Sequence, residues 1–208
     1  MADGETGKPD VAGMAARDDA AGLIRAVKGT GRETESDILD ALIGIGEPAV
    51  PALIQALRDG DEQVQMIASI ALEKIGKPGV IPLVRAFREK DGLVRVRIAE
   101  ILAGIGDPAL EEITAGLRDP DEEVRALSAL VLGEIRDPRA VDPLISALVD
   151  GSGNVRAQAA ISLGELGDPR AKTALGNLAG NDPSPAVRQV AGNALLRILE
   201  VAEDSEKP

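Results

Sequence analysis

The sequence predicts an all-α solenoid of about six stacked helix pairs, each about 30 residues long, and three observations indicate this fold class. A proline recurs at a nearly constant interval, at Pro48, Pro78, Pro108, Pro138 and Pro169. A valine recurs in step with it, at Val64, Val94, Val124, Val155 and Val187. Between these markers the apolar residues follow helical spacing, and strand-like alternation does not occur. A period of this length is typical of repeats that bury their apolar faces against one another.

The chain begins with a polar segment and a degenerate first copy of the repeat. Residues 1–13 carry Gly, Pro, Asp and Lys without periodicity and are predicted to be a disordered leader. Residues 14–45 form the first copy, with an amphipathic segment over residues 14–27 and a second helix over residues 36–45. This copy lacks the Gly-x-Pro start of the others, as expected of a terminal repeat that meets water on one face.

Five more regular copies follow, each with two helices separated by a short polar break. Their predicted boundaries are residues 46–75, 76–105, 106–136, 137–167 and 168–200. In the second copy the helices are predicted over residues 48–58 and 62–75. The second of these helices places its apolar residues on one face, at Val64, Ala68, Ala71, Leu72 and Ile75. The last residues, 201–208, are predicted to be an acidic tail.

The residues between the helices have a physical role at the helix ends. Asp107 is predicted to cap a first helix while Pro108 takes its first position, where a missing N–H has no cost. The same dipeptide opens the next two copies, at Asp137-Pro138 and Asp168-Pro169. A glycine follows the second helix in three copies and suits the left-handed backbone that ends a helix. These glycines are Gly76, Gly106 and Gly167.

The composition excludes several classes of function. The 208 residues include no Cys, His, Tyr or Trp and a single Phe. The chain therefore lacks the usual general base near neutral pH, the commonest metal ligand and the side chains that stack best on bases. A net charge of −12 would repel a polyphosphate, so no nucleic acid partner is predicted. No apolar run approaches the roughly 20 residues that span a bilayer and no secretory signal begins the chain, which together predict a cytoplasmic protein without a membrane partner.

The fifth copy carries the repeat motif most fully. Asp137-Pro138 is followed by Leu-Ile-x-Ala-Leu at residues 144–148, by Val155-Arg156 and by Leu-Gly-Glu-Leu-Gly over residues 163–167. This pattern resembles the HEAT repeat, and more narrowly the short HEAT-like subtype of phycobilisome lyases (the PBS-lyase subtype). The resemblance covers about residues 15–200. It implies a right-handed solenoid that binds another protein, although the family also includes enzymes and the fold alone does not choose between them.

The enzyme branches of the family are distinguished by their functional residues. Deoxyhypusine hydroxylase binds iron through His-Glu pairs, and the absence of His excludes that chemistry here. HEAT-like DNA glycosylases use a basic, aromatic-lined face, which an acidic chain without Trp or Tyr does not offer. Acidic clusters such as Glu111-Glu112 are explained by the helix dipole rather than by a metal. No catalytic, cofactor-binding or metal-binding residue is therefore predicted, and no cofactor.

An arginine follows the repeat valine in four copies, at Arg95, Arg125, Arg156 and Arg188. One interpretation is a ladder of ion pairs between neighbouring repeats, with Asp61, Asp121 and also Asp91 or Asp150 as the acids. The other is a cationic stripe that binds a carboxylate-bearing partner. The planar guanidinium suits bidentate bracing of a carboxylate, which favours the ladder.

A second row of residues lies on another side of the second helices, which line the concave side of HEAT arrays. Its apolar members are predicted to form the floor of a binding surface: Ile67, Ile70, Leu127, Leu130 and Ile161. Its charged members are predicted to form the rim: Arg97, Glu100, Glu134 and Glu165. Apolar patches with polar rims are typical of binding surfaces. The alternative is that some of these residues pack beneath the helices of the next repeat.

The sequence therefore predicts a monomeric, non-enzymatic scaffold or regulator of prokaryotic origin that binds another protein on its concave face. The alternative is a lyase-like chaperone or enzyme accessory subunit that holds a small molecule or a cofactor precursor. A purely structural repeat protein without a ligand is a third possibility, which the irregular loops and drifting copies disfavour.

Overall fold

A computed structural model describes residues 8–88 and 92–205, and this part of the chain is helical without any strand. Its α-helices are α1 (Val11–Ala15), α2 (Ala20–Ala26), α3 (Arg32–Ile45), α4 (Val50–Asp59), α5 (Glu62–Ile75), α6 (Val80–Phe87), α7 (Gly92–Ile105), α8 (Leu110–Gly116), α9 (Glu122–Ile135), α10 (Val141–Ala147), α11 (Gly153–Leu166), α12 (Lys172–Asn181) and α13 (Pro185–Ser205). Within these ranges no helix is long and apolar enough to cross a membrane.

The helices pair along the chain as the repeat predicts, and the pairs stack in two layers. The first helices are α2, α4, α6, α8, α10 and α12, and the second helices are α3, α5, α7, α9, α11 and α13. Each second helix packs on its own first helix and on the second helices beside it. One apolar core runs through the stack from Ala20 in α2 to Ile198 in α13. The predicted all-α solenoid is therefore confirmed.

A short N-terminal helix, α1, covers the first copy by packing against α2 and α3. It begins at Val11 because the Asp10 carboxylate accepts a hydrogen bond of 2.9 Å from the backbone N–H of Gly13. The predicted leader over residues 1–13 is therefore too long at its C-terminal end. Its residues 1–7 lie outside the described part of the chain.

The last helix, α13, continues to Ser205, so the predicted tail over residues 201–208 begins inside a helix. Neither Gly nor Pro occurs between Gly192 and Pro208, and nothing in the local sequence ends the helix at residue 200. Residues 206–208 lie outside the described range.

Five of the second helices, α3, α5, α7, α9 and α11, end at a residue in the left-handed region, where glycine is favoured because it has no Cβ. Gly76, Gly106 and Gly167 have φ angles of 67°, 73° and 69°. Arg136 takes the same position before the fifth copy, with a φ of 57°. A single 3-10 turn containing the repeat proline then leads into the next first helix, for example Asp107–Ala109 before α8.

The predicted aspartate caps occur in two of the three copies. Asp137 and Asp168 accept hydrogen bonds from the backbone N–H groups of Arg139 and Arg170, at 2.8 and 2.9 Å. Asp107 instead lies inside the 3-10 turn, and Gly106 precedes that turn without a side-chain cap. The difference follows from one extra residue in the fifth and sixth copies, which places the aspartate before the turn rather than within it.

Small residues bring the second helices of the C-terminal half close together. A Cβ placed on Gly133 would lie 2.6 Å from the Cβ of Ser162, and one on Gly164 would lie 2.9 Å from the Cβ of Ala194. The second and third copies have larger residues, Glu73 and Ala103, at the position that Gly133 and Gly164 occupy. The contact of α11 with α9 and α13 is therefore more extensive than the contact of α5 with α3 and α7.

The first helices of the same region spread apart. Helix α10 packs extensively on α11 but makes little contact with α8 or α12. In a curved two-layer stack the inner layer has the closer spacing, so the second helices form the inner, concave layer here. The first helices form the outer, convex layer, and a groove opens between α10 and α12.

Candidate functional site

Arginines join neighbouring repeats through ion pairs. Arg125 donates from Nε and Nη2 to the two carboxylate oxygens of Asp150, at 2.8 and 3.0 Å. Arg156 makes the same bidentate contact with Asp182, at 2.7 and 3.0 Å. Each arginine belongs to the second helix of one repeat, and each acid belongs to the loop of the next. The ladder therefore braces successive repeats, with the strong geometry of a guanidinium and a carboxylate.

Arg95 is the most buried member of this ladder, with 1% of its surface exposed. Its Nη2 donates to the carboxylate of Asp121 at 3.2 Å, and its Nη1 pairs with Glu123. Both acids lie at the start of α9 in the next repeat. An arginine at this depth needs charged partners, because an unpaired buried charge is strongly destabilising.

Backbone carbonyls fix each guanidinium in place. The Nη1 of Arg125 donates to the carbonyl oxygens of Asp119 and Pro120, at 2.8 and 3.2 Å. Arg156 and Arg188 use the carbonyls at the equivalent positions of their own loops. The loop between the two helices of a repeat therefore orients the arginine, and Nε and Nη2 remain directed toward the next repeat.

The electrostatics of the ladder agree with its geometry. The hydrogen bond from Arg156 lowers the pKa of Asp182 below its ordinary value, and the same contact raises the pKa of Arg156. Asp182 is only 6% exposed, so its carboxylate depends on this partner. The guanidinium groups of Arg125 and Arg156 are occupied by this bracing, which leaves no cationic stripe at these positions.

Asp61 does not take part in the ladder. Its carboxylate caps α5 by accepting a 3.0 Å hydrogen bond from the backbone N–H of Val64, and it lies 3.4 Å from Nζ of Lys28. The prediction for Asp61 is wrong because the first copy has Glu35 where later copies have the ladder arginine.

Two ladder positions differ from the regular pairs. Gln65 replaces the arginine of the second copy and donates to the carbonyl oxygen of Leu57 at 3.1 Å. Asp91, the acid that would face it, lies outside the described residues. Arg188 belongs to the last described helix pair, and among the described residues only backbone carbonyls accept its hydrogen bonds.

One acid of the ladder, Asp182, was not among the predicted residues. The acid of the fourth copy, Asp121, lies three residues before the repeat valine, whereas Asp150 and Asp182 lie five residues before it. The register of Asp150, applied to the last copy, leads to Asp182. The Asp-Pro dipeptide at residues 182–183 was the available signal, since it marks the same loop as Asp119-Pro120.

A second row of ion pairs, also missed, crosses the edge of the C-terminal repeats. Arg139 pairs with Asp137 at 2.6 Å and reaches back to Asp107 of the preceding repeat. Arg170 likewise pairs with Asp168 at 2.8 Å and with Asp142 at 3.2 Å. Both arginines are the extra residues of the longer fifth and sixth copies, so the lengthened spacing was their signal.

The predicted apolar floor lies on the inner layer with one exception. Ile70, Leu130 and Ile161 occupy the same position in three copies, and each is half-buried. Leu127 is also half-buried and packs partly against the core. Ile67 is only 5% exposed and belongs to the core, so it is not available to a partner. Its position lies at the border between the core and the inner face, where a small rotation of the helix decides burial.

The predicted rim forms an acidic group beside this floor. Glu100, Glu134 and Glu165 are exposed, and Arg97 is half-buried. Partial desolvation of its carboxyl group raises the pKa of Glu134 above its ordinary value although the side chain is exposed, and the negative charges of Glu165 and Glu100 raise it further. The three carboxylates of successive repeats therefore share one surface. Arg197 of the last repeat takes the position that Glu134 and Glu165 have in their copies, and it lines a hollow of about 260 Å³ next to Ile161 and Glu165.

The outer layer carries a separate apolar groove between α10 and α12, with a volume of about 550 Å³. Val149 at its edge is 86% exposed. The other apolar side chains along the groove are Ile145, Leu148, Ala174, Leu178 and Pro183. Asn177 and Asn181 supply amide groups at the rim, and the Arg156–Asp182 pair lies at the base. Among the described residues, no group of three acidic side chains has an arrangement that could hold a metal ion.

The stacked helix pairs and their arginine ladder define an α-solenoid repeat protein. A model of HEAT repeats matches residues 20–103, 82–152 and 110–196, which together cover most of the chain. The chain therefore belongs to the HEAT repeat family, and the predicted resemblance is confirmed. A comparison with curated proteins gives no match.

Solved structures show the same fold at low sequence identity. The complex of CpcE and CpcF of phycocyanin lyase from Nostoc sp. PCC7120 is 24% identical, with 70% of this chain and 97% of that chain covered and a TM-score of 0.55. Human deoxyhypusine hydroxylase in complex with glycerol is 19% identical, with 91% and 88% covered and a TM-score of 0.51. This chain shares the fold of both proteins, including that of the lyase type predicted from the sequence.

Proposed function

We propose that this protein is a non-enzymatic scaffold or regulator that holds a partner protein on the inner face of its second helices. The observation that carries the proposal is the row of half-buried Ile70, Leu130 and Ile161 beside the carboxylates of Glu134 and Glu165. The HEAT repeat solenoid is a scaffold suited to protein interaction.

The floor and the rim would have different roles in binding. Apolar side chains that are already half-buried can be covered by a partner with little loss of side-chain freedom, and their burial supplies affinity. The carboxylates supply orientation and association rate through long-range attraction. The matching partner surface therefore combines apolar side chains with Lys or Arg.

The composition supports a binding role rather than catalysis. The chain contains no His or Cys, so its remaining candidates for proton transfer or nucleophilic attack are carboxylates, Lys and Ser or Thr. The pKa of Glu134 is raised, but the causes are burial and neighbouring carboxylates on an open surface. A structural acidic group shifts a pKa in the same way as an active site does. A cytoplasmic location, as the sequence predicts, is part of this proposal.

The proposal is tested by affinity capture from native lysate with the double variant Leu127→Asp, Leu130→Asp. Charges placed in the floor should abolish enrichment of the partner in mass spectrometry, while circular dichroism shows unchanged helicity. A matched control places the same charges on the outer layer, at Ile81 and Val149, which are 55% and 86% exposed. If enrichment survives in the floor variant but is lost in the outer variant, the partner binds the outer layer and the proposal is contradicted.

A second candidate function rests on the groove between α10 and α12. Its volume of about 550 Å³ lies in the range of small-molecule sites, and its lining is apolar with two asparagine amides. The protein would then be a lyase-like chaperone or an accessory subunit that holds a small molecule or a cofactor precursor. The shared fold with the phycocyanin lyase subunits is compatible with this role.

This second function predicts a saturable rise in melting temperature with one member of a metabolite and tetrapyrrole panel. Leu178→Arg should remove that rise, since Leu178 is 9% exposed at the groove wall. Thr173→Arg on the exposed side of the same helix serves as the control. A flat response of the parent protein across the panel would remove the candidate.

A further inference from the structure

The last repeat exposes a helix face that the preceding repeats cover. In α11 three residues spaced four apart face the next repeat: Arg156, Ala160 and Gly164. In α9 the equivalent residues are Arg125, Ala129 and Gly133, and the Ser162 hydroxyl donates to the Ala129 carbonyl at 2.8 Å. The same positions in α13 are Arg188, Gly192 and Leu196, and none of the described helices packs over Gly192 or Leu196. We call these three residues, with Gln189, Leu199 and Glu200, the α13 end face.

The α13 end face is apolar at its centre and open. Leu196 is 57% exposed and Leu199 is 40% exposed. A Cβ placed on Gly192 would meet no atom within 4 Å, whereas one on Gly164 would lie 2.9 Å from Ala194. At the other end of the solenoid, α1 covers the first repeat. Terminal repeats are expected to present a polar outer face, so two exposed leucines at this end need an explanation.

Arg188 at the edge of this face is fixed in the orientation that its ladder equivalents use for a carboxylate. Its Nη1 donates to the carbonyl oxygens of Asp182 and Pro183, at 2.7 and 3.4 Å. The equivalent contacts of Arg156 accompany its bidentate pair with Asp182. Within the described part of the chain, Nε and Nη2 of Arg188 meet no carboxylate. The end face therefore offers a prepared site for an acidic group.

We propose that the α13 end face binds a second copy of this chain, with α13 packed antiparallel on α13 about a two-fold axis at residue 194. This arrangement places Leu196 of one copy over Gly192 of the other, where open space accepts it. Leu199 then covers the aliphatic part of Gln189. Both contacts occur twice, as an isologous interface requires.

Charge complementarity supports the same alignment. With the two-fold axis at residue 194, residues equally far before and after it in sequence face each other across the two copies. Leu196 therefore faces Gly192, and Arg188 faces Glu200. Glu200 is exposed on α13 and can supply the carboxylate that Arg188 lacks within the described part of the chain. The interface therefore has a glycine and leucine centre with an ion pair at each end.

Head-to-tail stacking of two copies fits less well. The loop of the first copy that would meet Arg188 spans residues 28–31 and contains no acid. Helix α1 also covers the first repeat, against which the end face would have to stack. In the two preceding interfaces a glycine stands where α13 has Leu196, and this glycine permits the close approach of the next helix. Leu196 therefore suits a different geometry from that of a further repeat.

The test is the mass of the full chain in solution by sedimentation equilibrium. The protein concentration is varied from about 10 µM to about 500 µM, because a contact between single helices is a small and weak interface. The parent should pass from monomer to dimer in this range. Leu196→Asp should stay monomeric throughout, and Leu199→Asp should do the same as an independent check on the face. Ile81→Asp, at an exposed position of α6, should dimerise like the parent.

A charge exchange tests the alignment. Arg188→Glu and Glu200→Arg should each weaken the dimer at least tenfold by like-charge contact at both ends, roughly 1.4 kcal/mol, and the double variant should restore it. Circular dichroism and melting curves verify that every variant is folded. A parent that remains monomeric at all concentrations, a dimer that tolerates Leu196→Asp and Leu199→Asp, or a double variant without restored affinity would each overturn the proposal.

Discussion

Gly164 on α11 lies directly against Ala194 on α13, so closely that a Cβ on Gly164 would come within 2.9 Å of the Ala194 Cβ. This contact and its equivalent between Gly133 and Ser162 set the short spacing of the inner layer. The first helices of the same repeats lie farther apart, and α10 makes little contact with α8 or α12. The curvature of the C-terminal half therefore depends on residues without a side chain.

The variant Gly164→Val should lose about 1–3 kcal/mol of unfolding free energy, as expected when a side chain is forced into a close-packed contact. Urea denaturation followed by circular dichroism measures the loss. Gly180→Ala in α12 is the control, because its Cβ would meet no atom within 4 Å. It should be neutral or stabilising by up to about 1 kcal/mol. Equal effects of the two variants would show that the close approach does not limit the fold.

The contribution of each arginine to the free energy of unfolding is expected to increase steeply with the burial of its ion pair. Arg156→Ala removes the partner of Asp182, whose side chain is only 2% exposed, and should cost about 3 kcal/mol or more of unfolding free energy. Arg139→Ala removes an ion pair whose arginine side chain is 63% exposed and should cost no more than about 1 kcal/mol. Parallel urea titrations compare the two variants. Similar losses would mean that the ladder contributes no more than a surface pair does.

The pKa of Asp182 predicts how acid weakens the fold. The hydrogen bond from Arg156 lowers this pKa in the folded state below the unfolded value of about 3.9. The contribution to stability is therefore complete above about pH 4 and is lost as the pH falls through the folded pKa. The difference in unfolding free energy between the parent and Asp182→Asn should be large at pH 7 and should shrink steadily below pH 4. A constant difference between pH 7 and pH 2 would contradict the assignment.

Ionisation of Glu134 is expected to have the opposite effect on stability from ionisation of Asp182. Burial and the charges of Glu165 and Glu100 raise its folded pKa above the unfolded value, so its ionised form opposes folding at neutral pH. Glu134→Gln should therefore raise the melting temperature at pH 7. The gain should disappear as the pH falls through the folded pKa toward the unfolded value near 4.3, because both forms are then neutral. Thermal melts at pH 7, 5 and 3.5 follow this change, and a variant less stable than the parent at pH 7 would refute it.

Much of the fold could be predicted because the same sequence pattern occurs in several copies of the repeat. The proline and valine markers place the two helices of each copy, and apolar spacing gives the faces that pack together. Local exceptions were harder to predict. The extra residues Arg139 and Arg170 change how the aspartate caps form. Asp61 has no ladder partner because Glu35 replaces the arginine of the first copy.

The candidate surfaces were only partly predictable for a geometric reason. A helical wheel identifies the side of a helix but leaves border positions open, and Ile67 turned inward while Ile70 stayed on the surface. The outer groove depends on how closely α11 and α13 approach, which is set by pairs such as Gly164 and Ala194 on different repeats. Contacts of this kind between different repeats can be identified only from the three-dimensional structure.

Partner binding at the inner face is tested most directly by calorimetric titration of the full chain with a synthetic amphipathic helix of Leu and Lys. Binding should be saturable and at least tenfold weaker in the triple variant Glu100→Gln, Glu134→Gln, Glu165→Gln, a loss of roughly 1.4 kcal/mol. The control variant Glu47→Gln, Glu62→Gln, Glu111→Gln makes the same change in net charge at exposed positions outside the predicted rim. It should bind like the parent, and a peptide with Glu in place of Lys should not bind. Equal weakening in both triple variants, or equal binding of both peptides, would contradict an inner face that selects a basic and apolar partner.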